Sequence, residues 1–143
     1  MEGLDLNESN IDYTDVEAAK KIFGRDRFAT KTTGIEIVSV DKGYAKCKMI
    51  VDERHLNALD SVMGGAIYTL ADFVFAIATN FNNTPTVTAV AQVSYLSAPK
   101  GKIIYGESHK LKDGRRNCFY QVDITDEIGT NIAIVNITGT HVG

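Results

Sequence analysis

A single carboxylate lies in the middle of the most apolar stretch of the chain. Asp72 is the only acidic residue between Ser61 and Gly106, and the segment around it, GGAIYTLADFVFAIATN, is mostly hydrophobic. A carboxylate among apolar side chains loses hydration, so it persists only where it is paired, hydrogen-bonded or placed at a wet cleft. Asp72 is therefore a candidate general base or nucleophile, although a structural ion pair would also account for it.

Two glycines, Gly64 and Gly65, come at the start of this stretch and are expected to begin its helix. They have no side chains to shield the first backbone N–H groups, which lack intrahelical partners and carry the positive end of the helix dipole. Such an end suits a carbonyl oxygen or a developing oxyanion. A tight turn or close packing would also explain a Gly-Gly pair without any chemistry.

The distance between these two features predicts how a site is built. At ~1.5 Å per residue, Asp72 lies about 12 Å along the helix axis from Gly64, so one substrate atom cannot touch both. Two antiparallel copies of the helix, packed side by side, would place the Gly-Gly end of one beside Asp72 of the other. The spacing thus predicts active sites shared between two subunits.

The first half of the chain predicts two helices and a hairpin. Residues 16–23, VEAAKKIF, have helical spacing and are followed by Gly24, which suits a helix end. Apolar and polar residues alternate within 31–52, on both sides of an Asp-Lys-Gly turn at 41–43, which is typical of a hairpin. The Gly-Gly helix is apolar all round its wheel, so it is expected to be buried until NFNNTP stops it.

The second half predicts a run of strands. In the first of them, alternation places Thr88 and Gln92 on one face. One sheet wrapped around one apolar helix satisfies this order, so we expect an α+β fold. The open sheet edges need covering, which predicts at least a dimer. The strand-like segments are 86–96, 102–111, 117–125 and 131–140.

Composition limits the class of protein. The 143 residues are 44% hydrophobic and 23% charged, which fits one globular domain over 1–143, with 1–12 as a poorly ordered lead-in. No apolar run approaches the ~20 residues that cross a bilayer, and the start is acidic, so we expect a cytoplasmic protein without a membrane partner. The net charge of −3 argues against binding nucleic acid.

The cysteines and histidines form no recognisable motif. Cys47 and Cys118 lie in strand-like stretches without a CxxC pair, so we expect buried small hydrophobes and no metal site. His55, His109 and His141 are scattered, with no Ser, Cys or Asp spaced for a triad. We expect His55 to orient the nearby loop through a backbone bond.

Basic residues gather late in the chain. Lys110 and Lys112 alternate along a strand and are expected to point the same way. The group is either a solvated rim that protects a sheet edge or a site for the phosphates of a nucleotide-bearing thioester such as acyl-CoA. Its members are Lys100, Lys102, Lys110, Lys112, Arg115 and Arg116.

These features together resemble a known family. The segment HLNALDSVMGGAIYTLAD resembles the signature of hotdog-fold acyl-CoA thioesterases of the phenylacetate-degradation, PaaI-like, type, in which H-x-N, a short loop, H-G-G and a helical Asp follow in order. The strand TVTAVAQVSYLSAPKGK is similar to the one that follows. The resemblance implies an antiparallel sheet around a long central helix, hydrolysis of acyl-CoA to free acid and CoA, and assembly as a homodimer or homotetramer. It implies no cofactor beyond the CoA of the substrate.

The resemblance also implies roles for individual residues. Asn57 would hold the thioester end, and the Gly64 N–H would polarise its carbonyl. Asp72 of the partner subunit would act as general base or nucleophile, with Thr88 orienting the attacking water. Met63 stands where the family usually has His, and it neither titrates nor donates a hydrogen bond. Further substrate contacts are expected from Met63, Gly65, His55, Lys100, Arg115 and Arg116.

Two other functions stay open. A non-catalytic acyl-CoA binding or sensor protein would use the same fold, and Met63 in place of His favours it. A hydratase or dehydratase acting on acyl-CoA would be expected to use a His-centred acid–base pair, which the positions of the histidines do not suggest.

Overall fold

The computed structural model describes residues 11–143, so most of the predicted lead-in, 1–12, lies outside the described residues. Helix α1, Val16–Phe23, begins after Asp15, whose carboxylate accepts the Ala18 N–H at 3.0 Å, and ends at Gly24 as predicted. Its buried residues, Ala19 and Phe23, form the apolar face that packs on the sheet.

Six antiparallel strands form one sheet in the order β1-β2-β4-β5-β6-β3. The predicted hairpin is confirmed, and Gly43 in its turn adopts φ +67°, a conformation that L side chains rarely take. The predicted run of four strands is also confirmed, each within two residues of its expected ends. The strands are β1 Glu36–Asp41, β2 Tyr44–Ile50, β3 Thr86–Tyr95, β4 Ile103–Asp113, β5 Asn117–Asp126 and β6 Asn131–His141.

The long central helix α2, Gly64–Asn80, contacts every strand of the sheet. Its largest buried side chains, Phe73, Phe75, Leu70 and Ile77, form the core with the inner face of the sheet. The expected α+β architecture is therefore confirmed. Among the described residues, no helix combines the length and apolarity that crossing a membrane requires.

Burial of α2 is not complete, contrary to the expectation from its composition. Gly65 and Asp72 are exposed, and Thr69 and Ala76 are only half-buried. At about 100° per residue these four fall within roughly 60° of one another, so they form one line along the helix. This line, called the open stripe below, is the side of α2 that the sheet of its own chain does not cover.

A bulge in β3 contradicts the prediction that Thr88 and Gln92 lie on one face of the strand. Thr88 pairs with Gly139 of β6 and Val90 with Thr138, so Ala89 is an extra residue. Directly paired residues share a face, and Gly139 is buried against the helix side of the sheet. Thr88 therefore faces α2, whereas Gln92, paired with the exposed Asn136, faces outward.

A second bulge, at Leu111 in β4, contradicts the prediction that Lys110 and Lys112 point the same way. Lys110 pairs with the buried Tyr120 and Lys112 with the exposed Phe119. Because neighbours along β5 face opposite sides, the two lysines also point to opposite faces. Strict alternation fails wherever one strand carries an extra residue.

Candidate active site

The loop before α2 is closed by His55, which is only 2% exposed. Its Nδ1 accepts the Asp52 N–H at 3.0 Å, and its Nε2 donates to the Thr33 carbonyl at 2.7 Å. Both ring nitrogens are thus hydrogen-bonded within the protein, and a contact between His55 and substrate stays a prediction. Its carbonyl accepts the Met63 N–H at 2.7 Å, which ties the loop's two ends together as predicted.

Asn57 shapes the loop with one end of its amide and exposes the other. Its Oδ1 accepts the N–H groups of Leu59 at 2.9 Å and Ser61 at 3.1 Å, and its own N–H donates to the Ser61 carbonyl. Because backbone N–H groups can bond only to the oxygen of the side-chain amide, these two contacts show which end of the amide is the oxygen, and the NH₂ group points away from them. No partner for that NH₂ is found among residues 11–143, and it is available to a ligand.

The start of α2 is uncapped. Met63 occupies the N-cap position, is 55% exposed and makes no side-chain capping hydrogen bond. Its carbonyl accepts the Ala66 N–H at 3.0 Å, while Gly64 and Gly65, the first two helical residues, have no acceptor within the helix. A methionine at the cap leaves these two N–H groups for another acceptor, where the helix dipole favours negative charge.

Tyr95 defines the geometry of Gly64, which sequence reasoning missed. Its hydroxyl donates to the Gly64 carbonyl at 2.8 Å, and a Cβ on Gly64 would lie 3.0 Å from the Tyr95 ring. A Cβ on Gly65 would meet no described atom within 4 Å. Gly64 is therefore needed for close approach of β3. A groove of about 340 Å³ opens beside it, lined by Ser61, Val62, Gly64, Ile67 and residues 95–99.

Asp72 lies at a cavity of about 270 Å³ whose other wall is the segment 26–29. Although Asp72 is exposed on the open stripe, partial desolvation by the walls of this cavity raises the pKa of its carboxyl, and the negative charge of Asp26 across the cavity raises it further. A raised pKa makes the ionised carboxylate a stronger base. Asp26 is a second residue that sequence reasoning missed, because it precedes Asp72 by 46 positions and belongs to no motif.

A second cavity continues from Asp72 toward the helix start. It has a volume of about 460 Å³ and shares Phe28 and Thr69 with the first. Met63 and Gly65 line its far end. The two cavities together, called the stripe groove below, follow the open stripe from the uncapped N–H groups to the carboxylate.

The predicted basic group is divided in a single chain. Arg115 and Arg116 line a groove of about 480 Å³ at the start of β5 together with His141, whereas Lys100 lies at the other end of that strand, where its N–H donates to Asp126. At ~3.3 Å per residue the ten residues of β5 separate these ends by about 30 Å. One chain therefore does not form the expected phosphate site.

The family is decided by a comparison with known sequences. The model of the thioesterase superfamily matches residues 59–133, which include Gly64, Asp72 and Thr88. The chain belongs to the thioesterase superfamily.

Two similar proteins are both named acyl-coenzyme A thioesterases. Acyl-coenzyme A thioesterase 13 of Mus musculus is 33% identical over 110 residues, 75% of this chain and 76% of that protein. Acyl-coenzyme A thioesterase PaaI of Escherichia coli is 26% identical over 79% of this chain and 81% of its own length.

Solved structures agree on the fold. The E. coli PaaI protein superposes with a TM-score of 0.82 at 22% identity, covering 90% of this chain and 94% of that one. A hypothetical thioesterase protein from Streptococcus pneumoniae, crystallised with coenzyme A, superposes with a TM-score of 0.79 at 25% identity, covering 87% and 97%. The hotdog fold expected from the resemblance is confirmed.

The candidate residues of the thioesterase fall into two groups within one chain. Asn57 and Gly64 lie at the start of α2, and Asp72 lies two turns further along. Thr88 is exposed near the beginning of the edge strand β3, and no hydrogen bond joins its side chain to the other three in the part of the chain that the structure describes. Within one described chain these four residues do not form a single site.

Proposed function

We propose that the protein hydrolyses acyl-CoA thioesters to a free carboxylic acid and CoA, at sites shared by two copies of the chain. The observation that carries the proposal is the open stripe, which joins uncapped helix N–H groups to a carboxylate with a raised pKa. The relatives named acyl-CoA thioesterases support the reaction, and CoA bound in the streptococcal structure supports the substrate class.

The open stripe is suited to pairing with itself. A two-fold axis passing between Tyr68 and Thr69 would place Gly65 of one helix opposite Asp72 of the other. Gly65, Thr69 and Ala76 are small, so two antiparallel helices can approach closely there. This arrangement covers the side of α2 that its own sheet leaves open, and it forms two equivalent sites.

The edge strand β3 suits the same symmetry. Its outer edge has no partner strand in the described chain, and Val87, Val90 and Tyr95 are each more than half exposed. Antiparallel pairing of two β3 strands about Gln92, with Ala89 left out of the pairing as the bulged residue, would bring Thr88 of one copy opposite Tyr95 of the other, and so toward the Gly64 that Tyr95 contacts. Thr88 would then reach the shared site from the subunit that supplies Asp72.

The reaction in this site has few steps. The thioester carbonyl oxygen accepts hydrogen bonds from the Gly64 N–H and the Asn57 amide, which stabilise the negative charge that develops on it. Asp72 of the partner takes a proton from a water held by Thr88, the water oxygen bonds to the carbonyl carbon, and the C–S bond breaks. CoA leaves as a thiolate. Because thioesters are electrophilic and thiolates leave well, this route uses no cofactor beyond the CoA of the substrate.

The same pairing reunites the basic residues. Lys100 follows Pro99, which lines the groove beside Gly64, while Arg115 and Arg116 lie beside the start of β3 and would come from the partner. Phosphates of a CoA bound at the shared site would then meet cations from both copies. Arg115→Ala with Arg116→Ala should raise KM for acyl-CoA more than KM for a short pantetheine thioester, whereas an equal effect would exclude a phosphate contact.

The decisive experiment mixes two defective variants. Asp72→Asn and Asn57→Ala should each be nearly inactive in release of CoA thiol from a panel of acyl-CoAs. Co-refolded in equal amounts, half of the dimers carry one intact shared site, so about a quarter of wild-type activity should return. Mixtures without recovery, or a stable active monomer by light scattering, would contradict the shared site.

A second candidate function is binding of acyl-CoA without turnover. It is favoured by Met63, which occupies the N-cap position of α2 and offers no titratable group beside the stripe groove. Calorimetry that detects acyl-CoA binding, together with no CoA release from any substrate in the panel, would favour this function. Met63→His would then be the variant to test for gained turnover.

A further inference from the structure

Three side chains of different donor type meet where β4, β5 and β6 end or begin together. The Asp113 carboxylate, the Cys118 sulfur and a ring nitrogen of His141 all lie within 4.8 Å of one another. The strand register brings them together, because Asp113 pairs with Cys118 and Cys118 pairs with Gly139. The proposed hydrolysis uses none of these three residues, which are called the sheet-end cluster below.

Gly139 makes room for the sulfur. A Cβ at this position would lie 2.8 Å from the Cys118 Sγ and 2.7 Å from the Phe75 ring. Cys118 is 1% exposed, and its sulfur lies behind Asp113 and His141, which line the arginine-bearing groove at the surface. A ligand that entered by this groove would meet the carboxylate and imidazole first and the sulfur last.

The contacts of His141 hold its ring in place beside the carboxylate. Nδ1 lies 2.7 Å from the Thr86 hydroxyl oxygen, and Nε2 lies 2.8 Å from the Asp113 Oδ1. A metal ion that takes the place of the proton shared by Nε2 and Asp113 would therefore find both donor atoms already facing it.

We propose that the sheet-end cluster binds a divalent transition metal, with zinc as the best match. Thiolate sulfur, imidazole nitrogen and carboxylate oxygen are the three donor types of zinc sites, whereas calcium and magnesium select oxygen alone. The Thr86 hydroxyl already holds the second ring nitrogen, which is how ligating histidines are usually oriented. The fourth position opens to the groove beside Arg115 and Arg116, where water or an anion completes the shell.

Metal binding requires movement of all three donor atoms. The Cys118 Sγ, which lies within 4.8 Å of the other two, would close to about 3.6 Å from each. Metal bonds of about 2.1 Å to nitrogen and oxygen at a tetrahedral angle hold these atoms about 3.4 Å apart. Asp113 and His141 therefore separate by roughly 0.6 Å from their present contact, a shift that the half-exposed Asp113 side chain can make by rotation. A bound ion would tie the ends of β4, β5 and β6 into one unit, with β3 attached through Thr86.

Cobalt(II) gives a spectroscopic test that does not depend on catalysis. Full-length protein freed of metal by chelation should bind one Co²⁺ per chain, with tetrahedral visible bands and a near-ultraviolet thiolate-to-cobalt band, and Zn²⁺ should displace it. Cys118→Ser should remove the thiolate band, and Cys47→Ser, which alters the other buried cysteine, should retain it. Wild-type protein without these bands, or a Cys118→Ser variant that keeps them, would overturn the proposal.

Two variants keep the test valid if Cys118→Ser fails to fold. His141→Gln removes a ligand whose side chain is 11% exposed, and should abolish the tetrahedral bands in protein that melts normally. Thr86→Val leaves all three ligands and removes the hydroxyl that contacts His141 Nδ1, together with its hydrogen bond to the Thr84 carbonyl, so it should weaken Co²⁺ binding by about 10- to 100-fold. Unchanged Co²⁺ affinity in both variants would place the bound ion elsewhere and overturn the proposal.

Discussion

The start of α2 and the sheet-end cluster are both gatherings of polar groups at the boundary of the core, but they arise differently. At the start of α2 the groups come from residues close in sequence, and the helix geometry itself leaves the N–H groups of Gly64 and Gly65 without acceptors. At the sheet end, residues up to 28 positions apart meet only because three strands are in register. The first region is visible as a motif, and the second exists only in the folded chain.

The largest expected effect tests the chemical role of the first region. Asp72→Asn should lower kcat by about 10²- to 10⁴-fold with little change in KM, because it removes the proton acceptor and keeps the shape. Steady-state release of CoA thiol measures this. A variant as active as wild type would remove Asp72 from the mechanism and reduce the first region to a structural helix start.

A smaller loss should follow from crowding the helix start. Gly64→Ala places a Cβ 3.0 Å from the Tyr95 ring, so β3 and the helix end must move apart and displace the oxyanion donor. We expect kcat/KM to fall by up to about 100-fold. Tyr95→Phe keeps the ring and removes only its hydrogen bond to Gly64, so it should cost about 1 kcal/mol of stability and less activity. Equal activity in Gly64→Ala and wild type would exclude the close approach as a requirement.

Glycine-to-alanine changes at the two regions should differ in sign. Gly139→Ala forces a Cβ against Phe75, Cys118 and Thr86, and overpacking of this kind costs about 1–3 kcal/mol. Gly65→Ala meets no described atom within 4 Å and should gain up to about 1 kcal/mol from helix propensity in the isolated chain. Urea unfolding of both variants measures the difference. In the proposed dimer Gly65→Ala would also weaken self-association, which dilution experiments would detect.

The smallest effect is a shift along the pH axis. Asp26→Asn removes a negative charge that raises the pKa of Asp72, so the acidic limb of kcat/KM should move to lower pH. An unmoved limb would mean that Asp26 does not act on the base.

The raised pKa of Asp72 also predicts how the stability of the protein depends on pH. Because the folded-state pKa of Asp72 is raised, its favourable contribution to stability is complete below the unfolded pKa and is lost as pH rises through the folded one. Asp72→Asn should therefore be stabilised relative to wild type at neutral pH and not in acid, as thermal unfolding at the two pH values would show. A variant with the same difference in stability at both pH values would contradict a raised pKa.

Most elements were predictable because each has a local signature. The spacing of VEAAKKIF predicted α1, and the Gly-Gly pair and NFNNTP predicted the ends of α2 to the residue. The positions of the strands were predictable, but the face of the sheet on which each side chain lies was not always predictable. The bulges at Ala89 and Leu111 reverse the side on which later residues lie, and an extra residue in a strand has no composition that marks it.

The two buried cysteines and the three histidines show the limit of local reasoning. Cys47 and Cys118 are both buried, as predicted, and both are free thiols. The expectation of no metal ligands rested on spacing along the chain, yet Cys118 and His141 lie on adjacent strands. His55 was expected near the substrate because of its motif, and it lines the stripe groove, but only the structure shows that the Thr33 carbonyl and the Asp52 N–H hold both its nitrogens.

By itself the sequence determined the elements, the fold class and the family, because hydrophobic periodicity, glycines and the order of motif residues are properties of neighbouring positions. Only the tertiary structure decided which polar groups are available to a ligand and which charges act on each other. It assigned the oxygen of Asn57 to the loop and left its NH₂ open, and it placed Asp26 opposite Asp72. Hydrogen-bond satisfaction and electrostatic coupling depend on distances between residues far apart in the chain, and only the packed sheet and helix set those distances.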